Sequence, residues 1–99
     1  MKLVNKFIII CNNENEFFEN QKFLFSKGYI WCTGNNKVLT FKDLRNEYYD
    51  ERLINNGKII LCEDVRRPSR FYFRFICELS NHIKQGYTII NNNLKLDLE

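Results

Sequence analysis

Residues 7–31 read FIIICNNENEFFENQKFLFSKGYIW, and residues 58–90 read KIILCEDVRRPSRFYFRFICELSNHIKQGYTII. Each stretch opens on a short apolar run that ends in cysteine, and each contains a Gly-Tyr pair followed by β-branched or aromatic residues. Short apolar runs predict strands, the longer segment between them predicts a helix, and Gly28 and Gly86 predict where each helix stops. Each stretch therefore has the pattern of a β–α–β unit.

Two β–α–β patterns predict an α/β fold, with α+β as the alternative, in which one small mixed sheet is covered by helices. Their similarity predicts an internal duplication of residues 5–32 and 58–90, and the alternative is coincidence in a chain rich in isoleucine and phenylalanine. Alternating leucines at residues 94–98 predict a terminal strand that forms a hairpin with residues 87–90. The 99 residues, 44% hydrophobic and 27% charged, predict a single globular domain over residues 1–99.

Two helices are predicted within the two β–α–β patterns. The first is expected from Glu14 to Lys27, because acidic residues at its start suit the helix dipole and a glycine follows its end. The second is expected from Ser69 to Gln85, because Pro68 and the serine after it are a start signal and a glycine again follows the end. Its apolar residues lie along one side at helical spacing: Phe71, Tyr72, Phe75, Ile76, Leu79 and Ile83.

The chain between these helices allows two interpretations. Thr40 and Asp43 have the spacing of a capping box, which predicts a helix from about residue 41 to residue 54. The competing interpretation is a hairpin through the Gly-Asn pair at residues 34–35, with a strand over residues 37–41.

The segment GYIWCTG occupies residues 28–34, directly after the first predicted helix. A helix followed by Gly-Tyr-x-Trp-x-(Ser/Thr)-Gly resembles a group of small proteins found in bacteriophages and large DNA viruses, which share a β–α–β start. The similarity covers about residues 5–36. It implies a virus-encoded accessory protein, and it implies no particular chemistry.

The strongest candidate binding segment reads VRRPSRFYFR over residues 65–74. Its four arginines lie at the start of the second predicted helix, where cations oppose the helix dipole. Arginines at a helix N-terminus can form a site for a phosphate or another anion. The alternative is that Glu63 and Asp64 pair with the arginines, or that water solvates them. The candidate binding residues of this segment are Arg66, Arg67, Ser69, Arg70, Phe73 and Arg74.

A second candidate surface lies on the second predicted strand. Tyr29, Trp31 and Thr33 alternate along this strand and therefore face the same side. That side is a candidate surface for the stacking of a nucleobase. The alternative is that the two aromatic side chains pack under a helix, which is how large aromatic residues are ordinarily used.

The chain has no recognisable catalytic motif, so we do not expect an enzyme. Glu63 and Asp64 follow a predicted strand and could act as acid and base, but adjacent residues of extended backbone point in opposite directions. The cysteines lie inside apolar segments: Cys11, Cys32, Cys62 and Cys77. They lack the close spacing of a zinc site, so we expect four reduced, buried thiols, no bound metal and no cofactor.

The longest apolar run, residues 7–11, is too short to cross a membrane, so we expect a cytoplasmic protein of the host cell. The leading hypothesis is a small non-enzymatic viral protein that binds or sequesters a host protein or a signal molecule, as an inhibitor of host defence would. The alternative is a nucleotide- or nucleic-acid-binding module that uses the cluster from Arg66 to Arg74, although a net charge of +3 is low for nucleic acid. The expected partner is a host macromolecule or a small phosphorylated ligand.

Overall fold

The computed structural model describes residues 5–48 and 58–90. These residues form a five-stranded mixed sheet with helices, which confirms the expected small α/β fold. The strands are β1 (Phe7–Cys11), β2 (Ile30–Trp31), β3 (Ile59–Glu63), β4 (Arg70–Phe75) and β5 (Thr88–Ile89). The helices are α1 (Glu14–Ser26), α2 (Phe41–Tyr48) and α3 (Leu79–Lys84), and a 3-10 turn over Ile76–Glu78 leads into α3.

The strands lie in the order β2-β4-β3-β1-β5. β3 pairs antiparallel with both β1 and β4, whereas β2 pairs parallel with β4 and β5 pairs parallel with β1. The connection through α1 runs from β1 past β3 and β4 to β2, and the connection through α3 runs from β4 past β3 and β1 to β5. Parallel crossovers are right-handed, so two crossovers in opposite directions place their helices on opposite faces of the sheet.

The two hydrophobic clusters follow this arrangement. On one face, Leu24 of α1 and Leu44 of α2 are buried in a cluster with Phe7, Leu61 and Phe71 of the strands. On the other face, Leu79 of α3 packs against a smaller cluster formed by Ile8, Ile60 and Cys62. Strands covered on both faces read as continuous apolar runs, which is why β1 and β3 are recognisable in the sequence.

The predicted helix from Ser69 to Gln85 is wrong over its first half, because residues 70–75 form β4. Phe71, Phe73 and Phe75 alternate with Tyr72 and Arg74, and this period of two suits a strand at least as well as the helical spacing did. β4 pairs with the preceding strand β3 on one side and with the distant strand β2 on the other, so its backbone hydrogen bonds go to neighbouring strands and not to a helical turn. The α-helix itself is confined to α3.

The second half of the chain therefore follows a β–β–α–β path. β3 leads through a turn into β4, and β4 is the strand that opens the crossover to β5. β1 and β3 lie in one sheet, as expected, but they are antiparallel neighbours. β4 runs parallel to β1 and leads through a helix to a parallel strand, as β1 does. The sequence similarity had instead matched β1 with β3. The internal duplication stays a prediction.

The local signals at the helix ends are confirmed. Gly28 and Gly86 have φ values of 88° and 94°, in the left-handed region that glycine adopts without strain. α2 begins with the predicted capping box, in which the Asp43 N–H donates to Thr40 Oγ1 (3.0 Å) and the Thr40 N–H donates to Asp43 Oδ2 (2.9 Å). The hydrogen bond from the Thr40 backbone N–H, together with one from the Thr40 side chain, lowers the pKa of the Asp43 carboxyl. The predicted end of this helix and the predicted hairpin of residues 94–98 lie outside the described residues.

Gly28→Ala is expected to lower the free energy of unfolding by about 1 kcal/mol or slightly more. Open space surrounds the position that a Cβ would take at Gly28, so the loss comes from the backbone conformation alone. Gly28→Asn is the matched variant, and it should cost less because asparagine adopts left-handed φ more readily. Urea unfolding of both variants measures the difference. Equal stability of Gly28→Ala and the parent chain would contradict the role of Gly28 as the stop of α1.

Candidate functional site

The arginines of residues 65–74 do not lie at a helix start. Residues 64–69 form the turn between β3 and β4, so the anion site predicted at a helix N-terminus is wrong. The Asp64 side chain is only 3% exposed, and its Oδ1 accepts from the Arg66 backbone N–H (3.1 Å) and lies 3.5 Å from Arg66 Nε. Its Oδ2 lies 4.0 Å from Arg67 Nη1. The alternative interpretation, in which an acid of this segment pairs with its arginines, matches this geometry.

Three residues of the predicted cluster contact the chain in or beside β2: Arg67, Ser69 and Arg70. Arg67 Nη1 donates to the Cys32 carbonyl oxygen (2.9 Å). Arg70 Nη1 lies 3.3 Å from the position that a Cβ on Gly34 would take, so this guanidinium packs directly on the loop after β2. Ser69 has a φ of 60°, and its carbonyl oxygen accepts from the Ile30 N–H (3.1 Å). These contacts give Arg67, Ser69 and Arg70 a structural role at the turn.

The predicted stacking surface on β2 is part of the core. Tyr29 and Trp31 are buried under α1, and the Trp31 ring centroid lies 4.4 Å from that of Phe71. Trp31 Nε1 donates to the Lys37 carbonyl oxygen (2.8 Å). Thr33 lies beyond the strand and is exposed, so it does not share a surface with the two rings. The packing alternative is therefore correct for both aromatic residues.

A groove opens where β2 ends. β2 pairs only with Arg70 and Phe71, whereas β4 continues to Phe75. After Trp31 the chain turns away, with Gly34 at a φ of 97°, and the resulting groove has a volume of about 840 Å³. One side is lined by Trp31, Cys32, Thr33, Asn35, Lys37 and Leu39. The other side is lined by residues 72–75 and Glu78.

Within residues 5–48 and 58–90, two cations and one carboxylate line the groove. Lys37 belongs to the loop segment, and Arg74 belongs to β4. The Arg74 guanidinium is held by the Phe73 carbonyl oxygen (3.0 Å), lies 4.5 Å above the Tyr72 ring and has its Nε 3.9 Å from Glu78 Oε1. Glu78 Oε2 accepts from the Phe75 N–H (3.4 Å). With two positive charges against one negative charge, the groove favours an anion.

The loop side of the groove is anchored by a buried amide. Gln21 of α1 is fully buried, and its Nε2 donates to the Leu39 carbonyl oxygen (2.9 Å) and to the Phe17 carbonyl oxygen (3.1 Å). Its Oε1 accepts from the Leu39 N–H (2.7 Å). One side chain thus binds both backbone groups of Leu39, in the way that a neighbouring strand would.

Four candidate residues predicted from the sequence line this groove, Trp31, Thr33, Phe73 and Arg74. Three others that line it were not predicted, Lys37, Leu39 and Glu78. These residues come from three separate segments, and no local pattern brings them together. One signal was available for Gln21, because it shares a helical face with Phe17 and Leu24, and a polar residue on such a face needs buried partners.

A hydrogen-bonded network fixes Tyr72 from the other face of the sheet. His82 is buried, and its Nδ1 donates to the Glu78 carbonyl oxygen (3.0 Å). That bond leaves Nε2 to accept from the Tyr72 hydroxyl (3.1 Å). Burial raises the pKa of the Tyr72 hydroxyl well above its ordinary value. The network therefore holds the ring beneath Arg74 in one orientation.

The cysteines occupy two kinds of environment. Cys11 and Cys62 are buried, and burial raises the pKa of each thiol to about 12. Cys32 is half-buried and lines the groove, and Cys77 is exposed, so the expectation of four buried thiols is wrong for these two. Within the described part of the chain, no three His, Cys, Asp or Glu side chains gather into a group that could hold a metal ion.

Comparison of the chain with protein-family models, curated proteins and solved structures finds no match. Over residues 5–48 and 58–90, no helix has the length and apolar character that a membrane span requires.

Proposed function

We propose that this chain is a non-enzymatic binding protein that captures a small organic anion in the groove between β4 and residues 32–39. The observation that carries this proposal is that Lys37, Arg74 and several apolar residues line one groove. The resemblance of residues 28–34 to viral accessory proteins supports a role in the cytoplasm of a host cell. There the protein would sequester a host signal molecule.

The shape of the groove favours a small molecule over a host protein. Ligand pockets measure roughly 300–1,000 Å³, and the groove falls within that range. The turn presents a nucleic-acid backbone with less net positive charge than the sequence suggested, because the Asp64 carboxylate lies 3.5 Å from Arg66 Nε and 4.0 Å from Arg67 Nη1. Tyr29 and Trp31, which would have stacked on bases, are buried in the core.

The groove supports binding better than catalysis. Among the described residues that line the groove, Glu78 is the single carboxylate, and it already accepts from the Phe75 N–H and lies near Arg74. General acid–base chemistry needs a group that is positioned to exchange a proton with the substrate. A carboxylate engaged in this way acts instead as a fixed charge that orients Arg74.

The proposal is tested with 1-anilinonaphthalene-8-sulfonate, an aromatic monoanion, as the probe. Trp31 is the only tryptophan in the chain and is among the residues that line the groove, so a probe bound there should quench its fluorescence. We expect saturable quenching, with affinity reduced about tenfold in Lys37→Gln and in Arg74→Gln, because each removes a charge-assisted contact. Circular dichroism of each variant checks that the fold is retained.

Lys22→Gln is the matched control for these charge changes. Lys22 is an exposed lysine of α1 that faces Glu19 on the helix surface, and it is not among the groove residues. Its removal should leave the affinity for the probe unchanged. If Lys22→Gln and the two groove variants bind the probe equally well, the probe binds elsewhere and the proposed function fails.

A further inference from the structure

We infer that the ligand of the groove is a nucleoside monophosphate, with its phosphate between Lys37 and Arg74 and its base against the apolar lining. This inference rests on the proposed function and names the class of ligand for the same site. Three properties of the groove lead to it: its charge, its apolar surface and its hydrogen-bonding groups.

The charge of the groove matches a single phosphate. Lys37 and Arg74 supply two positive charges from the two chain segments that form the groove, and Glu78 supplies one negative charge. A phosphate monoester carries roughly −1.5 to −2 charges at neutral pH, so the net charge of +1 in the groove attracts it and offsets part of its charge. A triphosphate would bring further negative charge close to Glu78, where like charges repel. The site should therefore prefer a monophosphate.

The apolar surface of the groove suits a flat ring. Phe73 and Phe75 are half-buried side chains on one face of β4, Arg74 lies on the other face above Tyr72, and Leu39 lines the groove from the loop side. An aromatic side chain offers a base a stacking surface, and a planar base fits a groove between two chain segments better than a branched chain does. Inorganic phosphate or a simple sugar phosphate would leave this surface in contact with water.

The polar groups beside the ring surface suit a nucleoside better than a plain aromatic acid. Thr33 Oγ1 accepts from Asn35 Nδ2 (3.0 Å), and Asn35 Oδ1 accepts from the Lys37 N–H (3.1 Å). The hydroxyl proton of Thr33 therefore points away from Asn35 and can be donated to a ligand. A ribose hydroxyl or a base carbonyl would accept it.

The test is displacement of the aromatic sulfonate probe, together with isothermal titration calorimetry. The four common ribonucleoside 5′-monophosphates are compared with adenosine, ribose 5-phosphate, ATP and inorganic phosphate. We expect at least one monophosphate to displace the probe, and adenosine and ribose 5-phosphate each to bind about tenfold more weakly. Lys37→Gln should weaken monophosphate binding about tenfold and adenosine binding little, and Lys22→Gln should change neither.

The outcomes separate this inference from the proposed function. If ribose 5-phosphate binds as tightly as the best monophosphate, the base makes no contribution and the inference is overturned. If adenosine binds as tightly as the monophosphates, the phosphate makes no contribution to affinity, and this result would also overturn the inference. If the probe binds in the groove but no nucleotide displaces it, the inference fails and the proposed function stands. If the affinity for the probe does not depend on Lys37 and Arg74, both the inference and the proposed function fail.

Discussion

Phe71→Ala is expected to lower the free energy of unfolding by about 3–5 kcal/mol, which is a large part of the stability of a domain of this size. The Phe71 ring is fully buried, with its centroid 4.4 Å from that of Trp31 and 5.8 Å from that of Phe25. Its removal leaves a cavity between β4 and α1 that these rigid neighbours cannot fill. Urea unfolding followed by circular dichroism measures the loss.

Phe71→Leu keeps the variant series informative if the alanine variant fails to fold. Leucine retains most of the buried apolar volume, so the expected loss is about 1–2 kcal/mol. Val65→Ala is the matched control, because Val65 lies in the β3–β4 turn with 52% of its surface exposed, and it should change stability by less than about 0.5 kcal/mol. A loss of stability below about 1 kcal/mol in Phe71→Ala would show that the Phe71 side chain is not packed in the core between β4 and α1.

Gln21→Ala is expected to destabilise the chain by about 3 kcal/mol and to weaken binding of the probe in the groove. The variant removes three hydrogen bonds from a fully buried position and leaves the Leu39 N–H and carbonyl oxygen without their side-chain partner. Because Leu39 and Lys37 line the groove on the same segment, loss of this anchor should also displace the cation. Thermal unfolding and probe titration on one sample measure both effects.

Gln21→Met separates the hydrogen bonds from the packing. Methionine fills a similar volume without a polar group, so a loss of about 1–2 kcal/mol in this variant measures the two unpaired backbone groups of Leu39. Lys22→Met is the control on the exposed side of the same helix, where little change is expected. Parent-like stability together with parent-like probe affinity in Gln21→Met would show that the amide does not anchor the loop.

The sequence alone determined the parts of the fold whose causes are local. Continuous apolar runs identify β1 and β3, because a strand covered on both faces has no polar side. The start of α2 follows from the reciprocal bonds of Thr40 and Asp43, and the two glycine stops follow from a backbone conformation that other residues resist. These features depend on residues a few positions apart, so a single sequence is enough to predict them.

Only the tertiary structure decided what residues 65–75 are. Their apolar residues fit a helix and a strand alike, and the choice depends on the pairing of β4 with β3, across the turn of residues 64–69, and with β2, which lies about 40 residues earlier in the chain. Because residues 70–75 form a strand, Arg66 and Arg67 lie in a turn and not at a helix start, and both are near the buried Asp64. The same strand also forms the groove, because β2 is shorter than β4 and the loop that Gln21 anchors lies beside the gap. Backbone pairing is set by partners distant in sequence, so local pattern cannot predict a site that depends on it.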